Sequence, residues 1–243
     1  MMKPLIWAHR GASAYEPENT LSSFEKAVRQ RADGIELDIQ LTRDHEIVVI
    51  HDEKLERTST GTGWVKDYTL AQLRMFDYSY ARKFPGHARE RIPTMQDVFE
   101  LIRPTSLTIN IELKTGVVFY RDIEQRILDM TKDFGMQDRV IYSSFNHYTI
   151  RKIRLLDPSA RTGLLYSDGY IDMPAYGKNL GVDALHPAMH NIQYPQFMED
   201  CKAAGLKVNV WTVNRKEHLE MCAASGVDAV ITNKPDLARK VLR

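Results

Sequence analysis

His9 and Arg10 stand side by side in "LIWAHRGAS", where an apolar strand runs out into a loop, and three later stretches of this 243-residue chain place chemically capable side chains in the same way. "GIELDIQL" carries Glu36 and Asp38, "EIVVIHD" ends on His51 and Asp52, and "LTINIELK" carries Glu112 and Lys114. Strand residues two apart point to one face, so Glu36 projects with Asp38, and Glu112 with Lys114. Carboxylates aimed into one space repel unless a proton or a cation sits between them. A third carboxylate beside them favours a hard divalent cation with oxygen ligands and water. Arg10 offers a fork of donors suited to phosphate and Lys114 a point charge. His9 and His51 are of the type that exchanges protons near neutral pH. Together these types suit a phosphoryl centre with an alcohol leaving group. Taken singly, each has a plainer reading: His-Arg as a solvated strand end, Glu-x-Asp as a solvated edge strand. A common location decides between the readings.

The elements supply that location. Short β-branched runs alternate with helical patterns: "LIWAH", "GIELDIQL", "LTINIEL", "RVIYSSF", "RTGLLYS", "VDALHP", "KVNVWTV" and "VDAVITN". Such alternation predicts an α/β fold with a mainly parallel sheet. Eight or nine strands in a chain of this length fit a (β/α)₈ barrel, whose active sites gather at the C-terminal strand ends where these side chains fall. No Gly-rich nucleotide-binding motif is present. Asn19 and Thr20 are candidate N-caps for "LSSFEKAVRQ", and Gly135 a candidate C-cap for "IEQRILDMTKDFG". Only "LTRDHE" separates the second strand from the third, which predicts an antiparallel hairpin. A tight turn centred on Asp44 and His45 would set Asp38 opposite His51. Residues 53–93 read as an irregular insertion around one short helix, a cap over the barrel mouth within a single domain spanning 1–243.

Thirty-three basic against 32 acidic residues leave a net charge of +1, so no overall field recruits nucleic acid or an anionic membrane. Cys201 and Cys222 share no metal-ligand spacing and read as free thiols in a reducing compartment, which predicts a cytoplasmic protein. "MMKPLIW" lacks the pattern of an export signal, and no apolar run is long enough to insert stably in a membrane.

"AHRGASAYEPENT", "ELDIQLTRDHEIVVIHD" and "IELK", with "VNVWTVN" and "GVDAVITNKPD", resemble the signature segments of the glycerophosphodiester phosphodiesterase family, from about Ile6 to Pro235. The resemblance implies a (β/α)₈ barrel and metal-dependent hydrolysis of small glycerophosphodiesters to glycerol 3-phosphate and an alcohol. It implies Glu36, Asp38 and Glu112 as metal ligands, His9 and His51 as the acid-base pair, and Arg10 and Lys114 as phosphate ligands. The expected chemistry is attack of the glycerol 2-hydroxyl on phosphorus, His9 taking its proton and His51 protonating the leaving alcohol; direct attack by water is the other route. Phe145 and Trp211, at or near strand ends, are expected to wall the glycerol pocket, although aromatic core would also explain them. His186 reads as a hydrogen-bonded structural residue, Asn19 as a helix cap, and His45, His87, His147, His190 and His218 as surface residues.

Three other functions are weighed. A phospholipase C or D, or a lysophospholipase D, would need an apolar rim to reach lipid, which the polar cap does not offer. A non-catalytic glycerophosphodiester-binding protein predicts loss of a histidine or carboxylate, and none is lost. A Schiff-base aldolase would need a lysine of depressed pKa, for which Lys114 among acids is poorly placed.

Overall fold

The computed structural model describes residues 3–80 and 82–243. Met1, Met2 and Ala81 lie outside the described residues, and with them the start of the stretch read for an export signal and one position of the cap. Among the described residues nine strands are formed: β1 Leu5–His9, β2 Gly34–Leu41, β3 Ile47–Val49, β4 Thr108–Leu113, β5 Val140–Ser144, β6 Thr162–Tyr166, β7 Ala184–Pro187, β8 Lys207–Val210 and β9 Ala229–Thr232. All but β3 run parallel in the ring order β1-β9-β8-β7-β6-β5-β4-β2, and pairing of β1 with β2 closes it. The result is the expected eight-stranded parallel barrel, with helices between the strands. These are α1 Leu21–Arg29, α2 Leu70–Leu73, α3 Met95–Ile102, α4 Ile123–Asp133, α5 His147–Leu156, α6 Met173–Leu180, α7 Phe197–Ala204, α8 Lys216–Ser225 and α9 Pro235–Leu242. No helix among the described residues is long and apolar enough to cross a membrane.

Alternation along β2 and β4 does the sorting. Ile35, Leu37 and Ile39, with Ile109, Ile111 and Leu113, are buried in one cluster with Phe24 and Ala27 of α1 and Met95 and Phe99 of α3. Loss of one large side chain from such a layer costs about 3–5 kcal/mol for Phe→Ala. The alternate positions Glu36, Asp38, Asn110 and Glu112 are buried too. Trp7, Ile141, Ala184, Ala229 and Ile231 pack together as a separate apolar cluster.

The hairpin departs from expectation by one residue. Ile39 pairs with Val49, Gln40 with Val48 and Leu41 with Ile47, and the Ile50 amide donates to the Asp38 carbonyl at 3.0 Å. Asp38 therefore faces Ile50, not His51. The loop holds three residues, Arg43 to His45, and His45 takes the left-handed conformation with φ 64°. A type I turn followed by a left-handed residue is the usual three-residue solution, and it moves the register by one.

Between β3 and α3 the chain forms a 3₁₀ turn at Val65–Asp67 and the single-turn α2. Leu55, Val65, Leu73, Tyr78 and Ile92 bury one another there against Val48 and Ile50. Thr20 caps α1 with a reciprocal bond pattern to Ser23, and Gly135, at φ 64°, follows α4 as expected. Asn19 is not the cap; its side chain is used elsewhere.

Candidate active site

Parallel register brings the acidic residues together. His9 of β1 is paired with Glu36 of β2, and Asp38 of β2 with Glu112 of β4. Glu36, Asp38 and Glu112 offer ligand oxygens that all lie within 4.8 Å of one another. Burial raises the Glu36 carboxyl well above its usual range, and the Asp38 charge raises it further. Glu112 is raised for the same two reasons. Burial works in the same sense on Asp38, but the neighbouring His51 ring, the charges of Arg10 and Lys114 and a hydrogen bond from Asn19 outweigh it and hold this carboxyl low. The buried Asp38 Oδ1 has no hydrogen-bond partner. An acidic, oxygen-only cluster with a spare acceptor and mutual repulsion fits a hard divalent cation.

The loop after β1 wraps this cluster. Arg10, at φ 55°, donates its backbone amide to Glu36 Oε2 at 2.9 Å. Its Nη1 donates to Glu18 at 2.8 Å, while Nε lies 3.4 Å from Asp38 Oδ2 and has no hydrogen-bond acceptor. Gly11 is required next: φ is 78°, and a Cβ there would collide with Ser23 of α1. Asn19, also left-handed at φ 57°, donates from Nδ2 to Asp38 Oδ2 at 2.9 Å. The capping role expected of it belongs to Thr20, and Asn19 instead orients a carboxylate.

The two histidines have unlike partners. His9 Nδ1 lies 2.6 Å from Asn233 Oδ1, so that nitrogen donates and Nε2, 4.0 Å from Glu36, carries the lone pair. Burial, helped by the Arg10 charge and opposed by Asn233, lowers the His9 pKa to about 4, so the ring is neutral at pH 7. His51 Nδ1 lies 2.6 Å from Asp52 Oδ1, and its Nε2 faces the Lys114 ammonium at 3.2 Å. Lys114 also donates to Glu112 at 2.9 Å.

Asp52 is itself held. Arg57 donates from Nε and Nη2 to Asp52 at 2.6 and 2.9 Å, and from Nη1 and Nη2 to Glu18 at 2.9 and 2.7 Å. Arg10, Glu18, Arg57, Asp52 and His51 thus form one chain of charge-assisted bonds, which ties the segment after β3 to the loop after β1. Against the opposing effect of burial, Arg57 and Arg10 lower the Glu18 carboxyl to about 2. Lys83 Nζ donates to the Ser13 carbonyl at 2.6 Å, and His87, expected at the surface, bonds Glu16 at 2.9 Å.

Phe145 follows β5 and Trp211 follows β8; the rings meet edge to face with centroids 5.5 Å apart. Trp211 Nε1 donates to the His186 carbonyl at 2.8 Å. His186 is fully buried and accepts from Asn209 at 2.9 Å, which fits its structural reading. Sequence reasoning gave no site role to Glu18, Asn19, Asp52, Arg57 or Asn233. Asp52 and Asn233 carried a usable signal, since each lies just past a strand end beside the residues already chosen.

A barrel with clustered carboxylates, two differently held imidazoles and two fixed cations at the C-terminal strand ends suits the hydrolysis of a phosphoric diester. The chain belongs to the glycerophosphoryl diester phosphodiesterase family, which matches residues 9–237. It is 43% identical over 244 residues to a glycerophosphodiester phosphodiesterase of Caldanaerobacter subterraneus subsp. tengcongensis, covering 100% of this chain and 99% of that protein. The fold superposes with a TM-score of 0.91 on a solved structure from Silicibacter pomeroyi at 22% identity, covering 100% of this chain and 94% of that one. A phosphodiesterase from Oleispira antarctica, solved with the product sn-glycerol 3-phosphate, is 28% identical with a TM-score of 0.86, covering 98% and 96% of the two chains. As a member of that family the chain is an enzyme, a phosphodiesterase.

Proposed function

We propose that the enzyme hydrolyses small glycerophosphodiesters, such as glycerophosphocholine and glycerophosphoethanolamine, to sn-glycerol 3-phosphate and the free alcohol, with one divalent cation, Mg²⁺ or Ca²⁺, held by Glu36, Asp38 and Glu112. The observation that carries this reading is the meeting of three buried carboxylates with two histidines whose Nδ1 partners differ. When bound, the cation supplies positive charge that polarises the phosphoryl group and acidifies a nearby hydroxyl.

Arg10 and Lys114 hold the phosphate. Arg10 Nε has a donor to spare, and Lys114 turns from His51 toward the phosphoryl oxygens, which frees His51 Nε2 to carry a proton. His9, neutral with Nε2 open, takes the proton of the glycerol 2-hydroxyl as that oxygen attacks phosphorus. His51 protonates the departing alcohol, and Asp52 balances the imidazolium charge. Water then opens the cyclic phosphate with the two roles reversed. Phe145 and Trp211 wall the glycerol, residues 53–93 close over the mouth as a cap on a single-domain barrel, and the buried free thiols Cys201 and Cys222 suit a cytoplasmic enzyme. Release of glycerol 3-phosphate from glycerophosphocholine by the purified protein tests the substrate assignment. Absence of product from both this compound and glycerophosphoethanolamine would overturn it.

A further inference from the structure

Away from the cap, the barrel mouth exposes apolar side chains on four successive loops. Val117 and Phe119 follow β4, Tyr148 opens α5 after β5, Tyr170 and Ile171 follow β6, and Tyr194 precedes α7. β4, β5, β6 and β7 are parallel neighbours in the ring, so these loops follow one another in an arc around the end of the barrel that holds Asp38 and Glu112. Phe119 and Tyr148 are 81% exposed and Ile171 93%. Single exposed hydrophobics are ordinary, but a contiguous arc marks an interaction surface. Phe145, between β5 and α5, carries it to the Trp211 edge of the site. Tyr170, Ile171 and Tyr194 border a cleft of about 670 Å³ beside α6 and α7, lined also by Pro174 and Phe197.

The rest of the mouth says what covers the arc. Residues 53–93 carry eight Lys and Arg against five Asp and Glu, and Lys54, Lys66, Arg82, Lys83, Arg89 and Arg91 are exposed. An aromatic and aliphatic arc beside a basic flank is the pattern of a protein that rests on an anionic lipid surface. Asp168 and Asp172, next to Ile171, oppose docking by charge at the arc itself, so the apolar side chains must enter the interface while the cap meets the headgroups. A second copy of the chain on this arc would crowd the opening through which substrate enters. We propose that the mouth docks reversibly on anionic lipid surfaces; this rests on the mouth being the active site assigned above.

The test is co-sedimentation with phosphatidylcholine vesicles, with and without phosphatidylglycerol, for the wild type and the double variant Phe119→Ser/Ile171→Ser. The wild type is expected to bind the mixed vesicles, more weakly as salt rises. The double variant is expected to lose about tenfold or more in partitioning while keeping wild-type kcat/KM on soluble glycerophosphocholine. The proposal is overturned if the wild type ignores the mixed vesicles or the variant binds as well as the wild type. It is equally overturned if the wild type is a dimer in solution that the variant converts to a monomer, since the arc would then be an interface between copies. Turnover of the soluble substrate by the wild type is read separately, and its absence would count against the proposed function alone.

Discussion

His9 presents Nδ1 to the Asn233 amide oxygen and His51 presents Nδ1 to the Asp52 carboxylate, both at 2.6 Å. Burial keeps His9 neutral with Nε2 open; the carboxylate of Asp52 fixes the His51 ring and lies where it can balance an imidazolium formed during turnover. Replacement of His51 by Ala is therefore expected to lower kcat about 10²–10⁴-fold while the affinity for divalent cation, followed by titration calorimetry, stays unchanged. Near wild-type turnover would remove His51 from the acid role. Asp52→Asn preserves the shape but not the charge, and steady-state assays should show kcat reduced about 10–100-fold, as for other residues that orient a catalytic group. Unchanged kcat would make Asp52 a link to Arg57 and nothing more. At this scale, Glu36, Asp38, Glu112 and Lys114 were legible because a strand repeats every two residues. Asn19 was misread because Asn is an equally good helix cap, and only its left-handed backbone turns the side chain onto Asp38.

At the scale of elements, the site depends on the loop after β1 and the segment after β3 being held against each other. Arg57 makes that connection with four hydrogen bonds to Glu18 and Asp52. Arg57→Ala leaves two acidic groups beside each other without their shared cation. Hydrogen exchange in the segment from Lys54 to Tyr80 is expected to quicken and kcat/KM to fall; unchanged exchange would mean that the buried cluster around Leu55 and Val65 holds this segment unaided. The strand and helix order was readable from alternation and capping residues. The hairpin register was not, because Asp44 and His45 suit a two-residue turn by type, whereas the backbone spends a third residue and places His45 at positive φ. The clamp was also hidden, since Glu18 and Arg57 are 39 positions apart.

Across the whole molecule, burial of neutral imidazoles ties stability to pH. His186 is pushed by burial from 6.5 down to about 3, so between those values the unfolded chain binds a proton that the native protein refuses. Its contribution is fully present above pH 6.5 and is lost as pH falls toward 3, at about 1.4 kcal/mol per pH unit. Urea unfolding at pH 4 to 7 is expected to show a shallower dependence for His186→Gln than for the wild type; parallel curves would mean that His186 is protonated in the folded state. The barrel itself was legible from strand count and chain length. The apolar arc was not, because Phe119, Tyr148, Ile171 and Tyr194 are separated in sequence and share only a position after successive strands. The central claim is that the three carboxylates hold a cation the reaction needs. Its most direct test is glycerol 3-phosphate release from glycerophosphocholine after removal of metal with EDTA, followed by separate addition of Mg²⁺ and Ca²⁺. The account predicts that activity disappears on stripping and returns with at least one of the two ions, but not in Asp38→Asn; full activity in the stripped enzyme would contradict it.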